Sequence, residues 1–188
     1  PLEEIFRKFR LSAISHGADD TPYLVGAAGQ GGYSNVISPP TQRLLQQGDI
    51  MMLDTGCTWD GYFCDFDRNW SIEHATEDSK RAYDVLWRAT QAGIEAAKSG
   101  NTCLELFECI SAVLAEMDQS GGDIGRLGHG LGMQREGVGG ISSAHALLPC
   151  AAHANTVTFH TAATAFTNTI NINIIINSSI NYIAVSTL

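Results

Sequence analysis

The stretch L-D-T-G-C-T-W-D-G-Y-F-C-D-F-D-R, from Leu53 to Arg68, places four aspartates among Trp59, Tyr62, Phe63 and Phe66 within sixteen residues. Asp60-Gly61 is a strong two-residue hairpin signal, because both central positions of such a turn tolerate positive φ. With the turn there, Trp59 falls opposite Tyr62, Cys57 opposite Cys64 and Thr55 opposite Phe66 on one face. The other face carries Asp54 opposite Asp67, Gly56 opposite Asp65, and Thr58 opposite Phe63. Opposed residues share a face and diagonal neighbours lie about 7–8 Å apart, so Asp54, Asp65 and Asp67 point the same way. Like charges there destabilise a sheet, and burying an unpaired carboxylate costs more still. Solvent, a basic partner such as Arg68, or a cation would each relieve the repulsion. The hairpin alone leaves all three open, although carboxylate oxygens suit hard divalent ions such as Mn or Mg.

The surroundings narrow the setting. A chain of 188 residues is long enough for one domain with a sizeable core. The net charge of −9 argues against nucleic acid or an anionic membrane surface as a partner, and no run reaches the roughly 18 apolar residues of a membrane span. Cys57, Cys64, Cys103, Cys109 and Cys150 are odd in number and lack C-x-x-C spacing. With no signal peptide in view, they read as reduced thiols in a cytoplasmic protein. The chain opens on Pro1 rather than Met, which reads as a fragment or a processed form.

Residues 1–136 carry ordered signals. Ile5, Phe6 and Phe9 recur at helical spacing in Leu2–Leu11, and Ala18–Val25 reads as a strand followed by a glycine-rich loop. Gly48-Asp49 precedes a strand from Ile50. Thr76 caps a helix running to about Lys98, and Thr102 with Glu105 forms a capping box for a second helix, closed by Gly121-Gly122. Together these give an α+β domain with an antiparallel sheet.

Residues 137–188 differ in kind. All 11 Lys and Arg and all 20 Asp and Glu lie before Gly137. The uncharged tail is built from Ala, Thr, Asn, Ser and Ile, and three readings are open: a β-repeat, a set of buried strands, or a frameshifted, non-native segment encoded by A/T-rich codons. If exposed, Ile170–Ile176 is a Pro-free, β-prone aggregation hazard.

A ligand of another type stands at Gly125–Gln134, G-R-L-G-H-G-L-G-M-Q, where glycines on both sides of His129 let backbone or ligand approach closely. A core histidine is ordinarily a hydrogen-bonded structural residue, but beside a carboxylate cluster the metal reading gains weight. His16, His74, His145, His153 and His160 lack that context and read as structural or surface residues.

G-D-I-M-M-L-D-T-G followed by D-G-Y-F-C-D-F-D-R resembles the metal-binding hairpin of the pita-bread metallopeptidases, which include methionine aminopeptidase, aminopeptidase P (Xaa-Pro aminopeptidase), prolidase and creatinase. The wording leans toward the Xaa-Pro peptidase and creatinase members. Asp54 and Asp65 match the family's first two aspartate ligands, eleven residues apart, and L-G-H-G-L-G-M resembles its G-H-G-I-G motif, with His129 as third ligand. The resemblance covers Pro1 to Gln134. It implies a partial pita-bread fold over 1–136: a curved antiparallel sheet with flanking helices.

It also implies two divalent ions (Mn, Co, Fe or Zn) sharing carboxylates and activating a water. Asp54 would chelate one ion, Asp65 bridge both, and His129 complete the second, with Asp67 and Arg68 supporting them and no catalytic residue assigned. The implied reaction is hydrolysis of a peptide or small amide, such as the bond preceding proline, by a protein that is commonly a homodimer.

The chain also departs from the pattern. The family takes two more glutamate ligands beyond G-H-G-I-G, yet the last acidic residue here is Glu136. Asp67 stands where Ser or Thr is common, and Gly29–Pro40 lacks the histidine often found there. The expectation is therefore weak metal binding and an impaired or inactive hydrolase; the alternative is a non-catalytic pita-bread binding module.

Overall fold

The computed structural model describes residues 1–33, 38–98, 100–117, 127–130, 133, 156–165 and 168–177. The Gly121-Gly122 helix stop, Glu136, and the tail segments 137–155 and 178–188 lie outside the described residues. Helix α1 spans Leu2–Ser15 and is followed by strands β1 (Asp20–Gln30), β2 (Asp49–Trp59), β3 (Tyr62–Phe63) and β4 (Phe66–Ser71). Helices α2 (Glu77–Ala96) and α3 (Cys103–Leu114) come next, then β5 (Gly128–Gly130), β6 (Thr156–Ala165) and β7 (Asn168–Asn177).

Strand β2 is the centre of the first sheet, antiparallel to β1 on one side and to β3 and β4 on the other. The Asp60-Gly61 turn forms with φ of 50° and 80°, and Trp59 pairs with Tyr62, Thr55 with Phe66 and Asp54 with Asp67. The register set by the turn is thus the one observed.

The period of two then divides β2 between two cores. Ile50 and Met52 pack with Val85, Leu86 and Ala89 of α2 and Leu106, Ile110 and Leu114 of α3. Met51 and Leu53 turn to the other face and meet Leu2 and Phe6 of α1. Both long helices begin as their caps dictate: Thr76 accepts from the Ser79 amide, and Thr102 with Glu105 closes a full capping box.

One expected boundary shifts. The glycine-rich segment read as a loop after Val25 continues β1 to Gln30, in register with β2 down to Asp49. Gly26 is required inside that strand, because a Cβ there would lie 2.2 Å from the Met52 carbonyl oxygen and 3.0 Å from the Phe6 ring. The glycine permits a close approach within the sheet instead of marking its end.

The second sheet has the order β5-β6-β7. In it His129 pairs with Thr158, and β6 and β7 form a hairpin from Thr156↔Asn177 to Ala165↔Asn168. β7 runs beside β4, and both β6 and β7 touch α2. The tail backbone over 156–165 and 168–177 is β-strand.

Candidate metal centre

Along β2 the face that carries Ile50 and Met52 next presents Asp54, so the carboxylate lies one step beyond the helix-covered core. Asp67 stands directly opposite on β4. Asp65 follows the short strand β3, where Gly56 faces it. A Cβ on Gly56 would meet the Cys64 carbonyl oxygen at 2.4 Å, so the glycine of the D-T-G sequence lets the segment before Asp65 cross close to β2. His129 arrives from the second sheet on β5, behind Leu127, which is fully buried in the α2–α3 core. Its Nε2 lies 3.3 Å from Asp65 Oδ2.

All four groups are buried: Asp54 is 7% exposed, and Asp65, Asp67 and His129 are 2% each. Tyr23 on β1 donates its hydroxyl to Asp54 Oδ2 at 2.9 Å. Asp65 Oδ1 is buried without a hydrogen-bond partner, and the Asp67 carboxyl has only the Asp54 carboxyl as a polar side-chain neighbour to share a hydrogen bond with. Burial, then the neighbouring Asp54, a shared hydrogen bond with it, and Asp65 raise the Asp67 pKa well above the usual carboxylate range, with Arg68 opposing. Buried carboxylates that gain neither water nor a donor are costly unless paired, protonated or coordinated to a cation.

Arg68 is not placed among these groups. It pairs with Leu53 on the α1 side of β4, lining an apolar cavity with Phe9, Met51, Leu53 and Trp70. Its Nη1 donates to the Asp67 carbonyl oxygen at 2.6 Å, a backbone contact. Burial lowers its pKa, with Tyr83 and Asp67 opposing.

Tyr23 was missed from sequence. Its signal was positional: it pairs with Gly56, on the face of β2 that carries Asp54. Behind Asp67 on the same face lies buried Asn69, which accepts from the Tyr33 hydroxyl at 2.7 Å.

The donor set of hard carboxylate oxygens and one imidazole nitrogen fits a divalent transition ion. Asp54, Asp65 and His129 are the side chains that would hold it, and Asp67 adds oxygens beside Asp54. Among the described residues no three His, Cys, Asp or Glu side chains stand ready to enclose an ion.

The fold is that of the pita-bread metallopeptidases. The structure overlays dipeptidase PepE from Mycobacterium ulcerans with a TM-score of 0.78 at 22% identity, covering 93% of this chain and 46% of that one. It overlays the prolidase from Pyrococcus furiosus with a TM-score of 0.79 at 21% identity, covering 93% and 51%.

Residues 2–166 match the model of metallopeptidase family M24, and the chain belongs to that family. Among curated relatives, the probable dipeptidase PepE of Mycobacterium tuberculosis is 35% identical over 109 residues, 57% of this chain and 27% of that protein. The Xaa-Pro dipeptidase of Lactobacillus delbrueckii is 32% identical over 95 residues, 50% and 26%. The chain thus aligns with about a quarter of the length of these relatives. Membership of a metallopeptidase family implies divalent metal. Among the described residues no helix is long and apolar enough to cross a membrane.

Proposed function

We propose that this chain carries the metal-binding wall of a metallo-dipeptidase of the Xaa-Pro type, acting on a peptide or small amide. The observation that supports it is that buried Asp54 and Asp67 stand opposite one another on β2 and β4 while buried His129, from the second sheet, comes to 3.3 Å from buried Asp65. Asp54 would chelate one ion, its orientation fixed by the hydrogen bond from Tyr23. Asp65 offers one oxygen toward His129 and has a second free of hydrogen bonds, as a bridging carboxylate requires. His129 presents Nε2 to that cluster, and Arg68 holds the β4 backbone at Asp67 from the opposite face. Two divalent ions, Mn, Co, Fe or Zn, would supply Lewis acidity and lower the pKa of a water that attacks the amide carbonyl. A homodimer in the cytoplasm is part of the same reading, the latter supported by the odd cysteine count without C-x-x-C spacing.

The absence of acidic residues after Glu136 favours a second reading, in which the chain binds but does not hydrolyse. It also supports treating 137–188 as a segment apart from 1–136, which the coding DNA read in all three frames beyond Gln134 would test. Calorimetric titration with Mn²⁺ should show binding to the wild type that Asp65→Ala removes; equal heats for both would overturn the metal reading. Hydrolysis of an X-Pro dipeptide with Mn²⁺ then separates the two: the missing glutamates predict little or no turnover by this chain.

A further inference from the structure

The face of the hairpin that carries no aspartate carries two cysteines. Cys57 and Cys64 are opposed in the register fixed by Trp59↔Tyr62 and Thr58↔Phe63. The Cys64 amide donates to the Cys57 carbonyl at 2.9 Å, and the Cys57 amide donates to Cys64 Sγ at 3.3 Å. Burial, and after it the neighbouring Cys64, pushes the Cys57 thiol up to about 11, so exchange with a small disulfide runs through a small thiolate fraction. A regular opposed pair that exchanges both amide–carbonyl bonds has its Cα atoms about 5.5 Å apart, inside the range of about 4.4–6.8 Å that a disulfide spans; here one of the two bonds is made and the other amide turns to the Cys64 sulfur. Both side chains are partly exposed, within reach of a small reagent. Neither is used by the metal centre, because the alternation of the strands places them on the opposite face from Asp54, Asp65 and Asp67.

We propose that Cys57 and Cys64 form a reversible cross-strand disulfide, with a low-molecular-weight disulfide such as glutathione disulfide as co-reactant. The Cys57 sulfur, on losing its proton, attacks one glutathione sulfur; the glutathione S–S bond breaks and one glutathione leaves as thiolate, which takes up that proton. The Cys64 sulfur then attacks the Cys57 sulfur of the mixed disulfide, the Cys57–glutathione bond breaks, and a second glutathione leaves with the Cys64 proton. Two protein thiols are oxidised and one disulfide is reduced to two thiols. The Cys57 amide loses its thiol acceptor in the exchange, while the Cys64–Cys57 backbone hydrogen bond is kept. The bond closes next to the Gly56 crossing, so it ties down the segment leading to Asp65 without removing a carboxylate from the other face.

The test is equilibration of the full chain with defined mixtures of reduced and oxidised glutathione, acid quenching, and mass mapping of the peptides. The expected result is a Cys57–Cys64 linkage lighter by two hydrogens, reversed by excess reduced glutathione. Cys57→Ser and Cys64→Ser should each stop at a glutathione adduct on the remaining cysteine, with circular dichroism confirming that the variants fold. Wild-type chain that stays as dithiol or as mixed disulfides in fully oxidised glutathione overturns the proposal, as does a map that links either cysteine to Cys103, Cys109 or Cys150. Because the readout is the wild-type linkage, the outcome holds whether or not the chain binds Mn²⁺.

Discussion

At Asp67 a single side chain sets cost against function. The residue is 2% exposed, and its carboxyl faces the Asp54 carboxyl with no amide or guanidinium donor on it. Such burial is unfavourable by about 1–3 kcal/mol on mutational scales. Asp67→Asn puts a neutral amide, which can donate to Asp54, in place of the crowded carboxyl at nearly constant volume, so the metal-free protein should gain stability of that order in urea melts, while Mn²⁺ binding weakens. A metal-free variant less stable than wild type would show that the carboxylate is satisfied as it stands.

Asp49 is the contrasting residue. Its side chain is 0% exposed, and it takes both guanidinium nitrogens of Arg43 at 2.6 and 2.8 Å, with the Gln46 amide at 2.8 Å. Arg43, then the Gln46 amide, Gln30 and the Arg43 charge, hold its pKa below the ordinary value against burial. Since Arg43 is 36% exposed, Asp49→Asn should cost about 2–3 kcal/mol, the low side of a broken buried pair. A depressed folded pKa gives stability that is whole above the unfolded value near 4 and is lost as pH falls through the folded one. The wild-type advantage over Asp49→Asn should thus hold from pH 7 to about 4 and shrink only below; shrinkage between pH 7 and 5 would assign it elsewhere. Asp54, Asp65 and Asp67 were legible because a two-residue turn fixes parity. Asp49 was not, since its partner Arg43 lies in a segment without periodicity.

At the scale of elements, local chemistry and close approach divide what could be read. The helices were legible because caps are local: Thr102 and Glu105 are three residues apart and satisfy each other's backbone. Thr102→Ala should cost about 1 kcal/mol and leave Mn²⁺ binding unchanged. The far end of β1 was not legible, since Gly26 looks like a loop residue until Met52 is known to pass against it. Gly56 is the same kind of residue at the candidate metal centre. Its Ala variant would force a Cβ to 2.4 Å from the Cys64 carbonyl oxygen and shift the backbone before Asp65. Overpacking of this type costs about 1–3 kcal/mol. Calorimetry should also show weaker Mn²⁺ binding by Gly56→Ala, separating it from the cap variant, which loses stability alone. Equal affinity in both would mean that Asp65 holds its position independently of that crossing.

At the scale of the molecule, the candidate centre is a junction. Asp54 and Asp67 belong to the first sheet and Asp65 to its hairpin, whereas His129 belongs to β5 of the second. Leu127, two residues before His129, is fully buried against α2 and α3, so that core sets how near β5 comes to the hairpin. An ion held by both sheets would couple them: at a hundredfold excess over Kd, binding to the folded state alone adds about 2.7 kcal/mol. That stabilisation should appear as slower amide exchange at 54–67 and at 128–130 together, since opening either sheet releases the ion. α1 packs on the far face of β2, against Met51 and Leu53, and its exchange should change little. His129→Ala should confine any added protection to the hairpin. Protection confined there already in the wild type would remove His129 from the ligand set and leave a carboxylate site on one sheet.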